Sequence, residues 1–383
     1  MTDNLPDTAV ELRSLLTSDG ALELSLQQVP VPVPDGSQVL VRVEAAPINP
    51  SDLGLLVAGA DMSAATVAGT PHRPVVRAAV PKAALRALST RLDRSLPVGN
   101  EGAGTVVAAG SSEESRALLG RAVAVAGGGM YTQYRVVDAA ACLVLPEGAG
   151  AKDGASSFVN PLTALAMTET MRREGHSALV HTAAASNLGQ MLVRICRADG
   201  IPLVNIVRKP AQEELLRSLG AEYVCNSASP SFTQDLLAAL TATSATLAFD
   251  ATGGGTLASQ ILNGMERVAS AALTEYSDYG SSVRKQVYVY GALDTSPTVL
   301  TRNFGMTWGV GGWLLIPFLQ SAGAETFARM RARVAAELTT TFASRYTREV
   351  SLAGMLRPEA FNAYVRQATG EKFLVTPHAV EVD

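Results

Sequence analysis

The chain reads as an α/β protein, with a β-rich N-terminal module followed by a doubly wound parallel sheet. Three observations predict this. Up to about residue 155, short apolar runs are separated by Pro, Gly and Asp; from Ser156 onward, strand-like and helix-like segments alternate. Residues 178–209, ALVHTAAASNLGQMLVRICRADGIPLVNIVRK, have the layout of a strand, a small-residue turn, a helix and a second strand that closes on two cations.

In the first part the strand-like runs are 21–27, 38–45, 104–109, 122–126 and 134–137. In the second, strands begin near Ala178, Leu203, Tyr223, Thr246 and Val287, and helices near Leu188, Gln212, Phe232 and Leu257. Such alternation calls for a parallel sheet with helices on its faces. Beyond it, 324–338 reads as a charged amphipathic helix, 346–350 as a strand, 358–369 as a helix and 372–376 as a final strand. Two stretches read as long inserted loops: 60–96, rich in Ala, Pro and Arg, and 271–286, which holds Tyr276, Tyr279, Arg284 and Lys285. Loops of that length commonly serve as lids or interfaces. The expected domains are therefore 1–155, 156–335 and a return segment, 336–383.

Composition narrows the class. With 383 residues, 47% hydrophobic and 17% charged, the chain is long enough for two domains with sizeable cores. A formal net charge of −4 argues against nucleic-acid or membrane-surface partners, which require clustered positive charge, and favours a small-molecule substrate. Cys142, Cys196 and Cys225 are odd in number and lie in apolar surroundings, which suits reduced core thiols and a cytoplasmic setting. The N-terminus carries three acids before any base and lacks an apolar leader core, and the most apolar late stretch, 314–319, is too short to span a bilayer. No secretory leader and no membrane span are expected.

The 178–209 unit carries the chemistry. Ala183, Ala184, Ala185, Ser186, Asn187 and Gly189 are small enough for a backbone to approach a pyrophosphate, whose charge is favoured at a helix N-terminus. Only the last glycine of a G-x-G-x-x-G pattern is kept, as Gly189; Asn187 stands where the middle glycine is expected, and Asn tolerates positive φ. Tight packing of a strand against a helix explains the same residues without a ligand. At the end of the second strand an NAD site places an acid on the ribose 2′-hydroxyl, whereas here Arg208 and Lys209 stand, which suits the 2′-phosphate of NADPH.

These motifs resemble the medium-chain dehydrogenase/reductase superfamily in its zinc-independent quinone oxidoreductase and enoyl thioester reductase branch. The resemblance rests on Pro30-Val-Pro-Val-Pro with Val39-Leu-Val-Arg-Val, on Ala46-Pro-Ile-Asn-Pro-Ser-Asp52, on Gly99-Asn-Glu-Gly-Ala-Gly104, on Phe158-Val-Asn-Pro-Leu-Thr-Ala164 and on the 178–209 unit. It implies a GroES-like β domain, a Rossmann domain inserted before the C-terminal tail, a nicotinamide held between them, and a homodimer. Zinc-using members carry Cys and His where this chain has Asn49 and Asn100, and His72, His176, His181 and His378 show no ligand spacing, so no metal is expected.

The resemblance also implies site residues. Asn160, Thr163 and the turn Ala185, Ser186, Asn187, Leu188 and Gly189 would bind the pyrophosphate side, and Arg208 with Lys209 the 2′-phosphate. Thr252 and Gly253 would border the adenosine, Tyr290, Gly291 and Ala292 the nicotinamide ribose, and Lys372 would neighbour the cofactor. Asn49, Ser51 and Asp52 would face the reacting ring, although Asn-Pro-Ser-Asp is also a good turn and helix cap.

The implied reaction is hydride transfer from NADPH to a quinone or enone. Enoyl thioester reduction is the alternative, set back because those enzymes place a proton-donating Tyr shortly after the PINPSD loop and this chain has no Tyr before Tyr131. Tyr131, in Gly127-Gly-Gly-Met-Tyr-Thr-Gln-Tyr134, is the substitute donor to consider, although a glycine-rich bend leading into a core strand explains it better. A reading from another class is an NADPH-binding protein without turnover.

Overall fold

Strand Gln38–Pro47 is the spine of the N-terminal part, and every other element of the first site is placed relative to it. It pairs antiparallel with Glu101–Ala109, with Tyr134–Asp138 and with Phe373–Val375, near the C-terminus. Ala122–Ala126, Leu143–Val144 and Arg348–Val350 complete a seven-stranded sheet. The computed structural model describes residues 5–368 and 370–379; the first four residues, part of the leader reading, lie outside them.

A second, five-stranded antiparallel sheet runs in the order Thr66–Thr70, Arg73–Ala79, Ala21–Pro30, Thr8–Leu16 and Ser95–Pro97. This corrects the reading of 60–96 as an inserted loop, because that stretch supplies three of the five strands. Pro74, Val76 and Ala78 point inward at period two, a signal hidden by small residues and a proline. Arg91 ties the stretch down, donating to Leu55 O at 3.1 Å and to Ser14 Oγ at 2.9 Å. The core between the sheets includes Leu12, Leu24, Val41, Val43, Val123 and Phe373.

From Asn160 the fold changes to six strands that are all parallel, in the order Tyr223–Asn226, Leu203–Val207, Leu179–His181, Leu247–Asp250, Lys285–Val289 and Trp308–Gly312. In order of appearance this is 3-2-1-4-5-6, the doubly wound dinucleotide-binding arrangement. The glycine-rich run around Trp308, unassigned from sequence, is its sixth strand. Strands 179–181, 203–207 and 247–250 are fully buried, as parallel strands covered on both faces must be.

The stretch 271–286 is also corrected at its end. Lys285 and Gln286 already belong to a core strand, and Lys285 is fully buried in an ion pair with Glu266, while Tyr276 and Tyr279 remain 92% and 74% exposed. The helix expected over 358–369 stops at Val365. By contacts, residues up to Val159 and from Arg331 onward form one unit and Asn160–Met330 another, a few residues from the expected boundaries. Among the described residues no helix is long and apolar enough to cross a membrane.

Candidate functional site

Antiparallel pairing explains the first cluster. The end of Gln38–Pro47 lies beside the start of Glu101–Ala109 and beside the start of Phe373–Val375, with Ala45 opposite Ala103 and Pro47 opposite Leu374. Residues just past one end and just before the others therefore converge: Asn49, Glu101 and Lys372. Asn49 Nδ2 donates to Glu101 Oε1 at 2.8 Å, and Lys372 Nζ donates to Asn49 Oδ1 at 3.0 Å. All three are buried.

The loop turns on Asp52. Its carboxylate accepts from Asn49 N and Asn100 N, each at 2.7 Å, closing the 3₁₀ turn Pro50–Asp52 and joining it to the Gly99–Gly104 motif. Burial pushes the Asp52 carboxyl up to about 7 against the pull of those two N–H groups. Burial also raises Glu101, although Lys372 opposes it, and pushes Lys372 down to about 8 although Glu101 and Asp52 pull it up. Ser51 is exposed; its Oγ accepts from Asn100 Nδ2 at 2.9 Å, so its proton is left to donate.

Of the two places open to Tyr131, the cleft and the core, it takes the core. It is fully buried and its hydroxyl donates to Pro47 O at 3.0 Å, while burial and the nearby Asp52 hold its pKa well above the usual value. The strong preference for the apolar interior and a satisfied hydroxyl make it a structural group beneath the loop rather than an acid for a substrate. Lys372 is not a solvated surface lysine but a member of the Asn49 cluster. Glu101 was missed; the only hint was an acid between Asn100 and Gly102, in a run otherwise suited to a buried strand.

The second cluster lies at the carboxyl ends of the parallel strands. Helix Asn187–Asp199 follows Leu179–His181 after a short turn, with Ser186 as its N-cap: Ser186 Oγ accepts from Gly189 N at 3.2 Å. Asn187 is thus already helical. The left-handed residue is Ala183, at φ +49, a conformation that costs a residue bearing Cβ and that recurs at ligand sites. A Cβ on Gly189 would stand 2.1 Å from Ala184 O, so only glycine lets the helix approach the turn this closely.

Neighbouring loops are tied to this turn. Thr182 Oγ1 donates to Asp250 Oδ1 at 2.7 Å, and Asp250 accepts from Thr252 N and Gly253 N at 2.8 and 3.2 Å. His181 Nε2 meets Tyr290 Oη at 2.7 Å with the rings stacked, and burial pushes His181 down to about 3, so it is neutral. Tyr290, Gly291 and Ala292 line an apolar cavity of about 490 Å³ with Trp313 and Leu314. Arg208 and Lys209 are exposed at the end of Leu203–Val207, and their backbone N–H groups both donate to Gln212 Oε1. Asn160 and Thr163 are buried near the start of helix Val159–Arg173. The residues expected at the pyrophosphate, the adenosine and the nicotinamide ribose, except Asn160 and Thr163, therefore share this edge of one sheet. A capped helix N-terminus, a small-residue turn and two free-standing cations fit a phosphorylated dinucleotide.

Among the described residues no group of three or more His, Cys, Asp and Glu is arranged to hold a metal. The Asn49 oxygen, at a position where zinc-using proteins place a ligand, instead receives an ammonium proton.

Residues 35–147 match the alcohol dehydrogenase GroES-like domain family. A mitochondrial enoyl-[acyl-carrier-protein] reductase of Rattus norvegicus is 28% identical over 212 residues, covering 54% of this chain and 49% of the relative. The corresponding protein of Xenopus tropicalis is 30% identical over 211 residues, covering 52% and 51%. The chain thus spans about half the length of the curated relatives it matches. A solved structure from Mesorhizobium loti, described as an NADPH:quinone reductase, superposes with a TM-score of 0.72 at 25% identity, covering 98% of this chain and all of the other. A mycobacterial protein whose structure holds NADPH shares the fold at 16% identity and TM-score 0.64, covering 96% of this chain and all of the other.

Proposed function

We propose that the chain is a member of the medium-chain dehydrogenase/reductase superfamily, an NADPH-dependent oxidoreductase that reduces a quinone or an α,β-unsaturated carbonyl compound without zinc. The observation that carries this reading is the edge of the parallel sheet where the Ser186-capped turn, the Asp250–Gly253 loop and the Tyr290–Ala292 loop meet, with Arg208 and Lys209 at the end of the neighbouring strand.

In this reading the backbone around Ala185 to Gly189 binds the pyrophosphate, with Asn160 and Thr163 contributing, and Arg208 with Lys209 selects the 2′-phosphate through charge-assisted hydrogen bonds. Thr252 and Gly253 border the adenosine. Tyr290, Gly291 and Ala292 flank the nicotinamide ribose, and the apolar cavity beside them offers a nonpolar wall to the reacting ring. The bound reduced nicotinamide supplies the hydride. Ser51, exposed and with its proton uncommitted, hydrogen-bonds the oxygen on which negative charge develops. Asn49 and Asp52 act one layer behind, as braces of that loop. A quinone suits this arrangement, since the phenolate it becomes needs no dedicated acid.

Enoyl thioester reduction is the second reading. It is favoured by the similarity to the curated reductases over half their length and disfavoured by the burial of Tyr131, the earliest tyrosine of the chain. The three buried cysteines, none in a disulfide, suit a reducing cytoplasm, and the edge strand Trp308–Gly312, paired on one side, suits a homodimer. The test is NADPH oxidation with quinones, enones and enoyl thioesters in parallel. Turnover confined to thioesters would replace the first reading by the second. Tight NADPH binding with no acceptor-dependent rate would leave a binding protein.

A further inference from the structure

Glu101 uses both carboxylate oxygens in different directions. Oε1 accepts from Asn49 Nδ2 at 2.8 Å; Oε2 accepts from Phe158 N and Val159 N at 2.8 and 3.0 Å. The first bond fixes the loop that carries Ser51. The second pair fixes the first backbone groups of helix Val159–Arg173, on whose opening turns stand Asn160 and Thr163. Phe158 is held from its other side as well: the Arg331 guanidinium lies 5.8 Å from its ring centroid and donates to Ala140 O at 3.0 Å and Cys142 O at 2.6 Å.

We propose that Glu101 is a positioning residue for hydride transfer, a single carboxylate that ties the Ser51 loop to Phe158 and Val159, the two residues from which helix Val159–Arg173 sets out. The proposal rests on the reductase reading. Its physical basis is that three hydrogen bonds to one fully buried carboxyl group leave little freedom between the segments they join, and that catalysis is sensitive to misplacement of about 1 Å. Lys372, reaching the same cluster through Asn49 Oδ1, places there a cation that opposes the upward push of burial on the Glu101 carboxyl.

The experiment uses the full chain, with Glu101→Gln and Asn49→Ala as variants. Glutamine keeps the shape but replaces one oxygen by a donor, which cannot accept from Phe158 N and Val159 N while the other end accepts from Asn49. Backbone hydrogen exchange in the free protein is the first readout. Glu101→Gln should speed exchange about tenfold or more in both 49–53 and 158–163. Asn49→Ala, which leaves the helix contacts of Glu101 in place, should still loosen 158–163, because it removes one of the two anchors of the carboxylate. The second readout is kinetic: kcat at saturating NADPH should fall by about a hundredfold in Glu101→Gln, with the dissociation constant of NADPH changing much less. Exchange confined to one segment in both variants, or an unchanged kcat, overturns the proposal. If Glu101→Gln fails to fold, Asn49→Ala decides by the same two readouts. A wild-type protein inert towards every acceptor refutes the reductase reading and with it the catalytic half of the proposal, while the exchange data still judge the coupling.

Discussion

Lys372 Nζ lies 3.0 Å from Asn49 Oδ1 although 323 residues separate them in the chain. The bond joins the residue before the last strand to the loop after the central strand of the N-terminal sheet, and it places a cation beside two buried carboxylates. Lys372→Met would leave Asn49 Oδ1 buried without its donor and would remove the cation that opposes the burial of Glu101, and an unsatisfied buried acceptor costs about 1–3 kcal/mol. Urea unfolding at neutral pH should show a loss of that order; a loss below about 1 kcal/mol would mean that the ammonium contributes little to the cluster.

Arg208→Ala should weaken NADPH binding by about tenfold or more while leaving NADH nearly unchanged, because a charge-assisted hydrogen bond to phosphate is lost and nothing else. Fluorescence titration with both cofactors tests this. Equal losses for the two would remove the 2′-phosphate from Arg208.

Tyr131→Phe separates the loop's brace from its chemistry. The buried hydroxyl donates to Pro47 O, so its removal leaves a buried acceptor unsatisfied and should lower stability by about 1–3 kcal/mol. Turnover should stay within about twofold of wild type once the protein is folded, whereas Ser51→Ala should reduce kcat by about tenfold or more. A collapse of kcat in Tyr131→Phe at unchanged stability would restore tyrosine as the acid.

His181 sets a pH dependence whose sign is fixed by burial. Its folded-state pKa is pushed down from 6.5 to about 3, so the unfolded chain takes up the proton first as pH falls. The stability it contributes is present above about pH 6.5 and is lost on acidification towards pH 3, at up to about 1.4 kcal/mol per pH unit. Asp52, raised to about 7, acts in the opposite sense: its contribution is present below about pH 4 and is lost as pH rises through 7. The difference between wild type and His181→Gln therefore isolates the histidine. Unfolding free energies measured from pH 7 to pH 4 should fall more steeply in wild type; parallel curves would contradict a buried neutral His181.

The legible parts of this protein were those whose signal is local. Leu188, Met191, Leu192 and Ile195 recur at helical spacing and form one face of a helix; Ala178 to Thr182 is a short apolar run and forms the first parallel strand. The strands Thr66–Thr70, Arg73–Ala79 and Trp308–Gly312 were not legible, because Ala, Gly and Pro dilute the alternation and the ladders that define these strands are made with partners elsewhere in the chain. Within the turn, the small residues were visible, but which of them turns left-handed was not: it is Ala183 rather than Asn187, because the Ser186 hydroxyl caps a helix whose first residue is already Asn187.

What the sequence determined alone was the main alternation of strands and helices from Ala178 to Val287, the phosphate-sized turn with its two following cations, and the presence of polar residues in the PINPSD and GNEGAG motifs. Only the tertiary structure decided what those polar residues do. Antiparallel pairing puts the end of Gln38–Pro47 beside the beginnings of two distant strands, and that crossing, not any spacing in the chain, brings Asn49, Glu101 and Lys372 within bonding distance. Once there, the Asn49 amide is consumed at both ends, Tyr131 is sealed beneath the loop, and Ser51 is left with a proton to give.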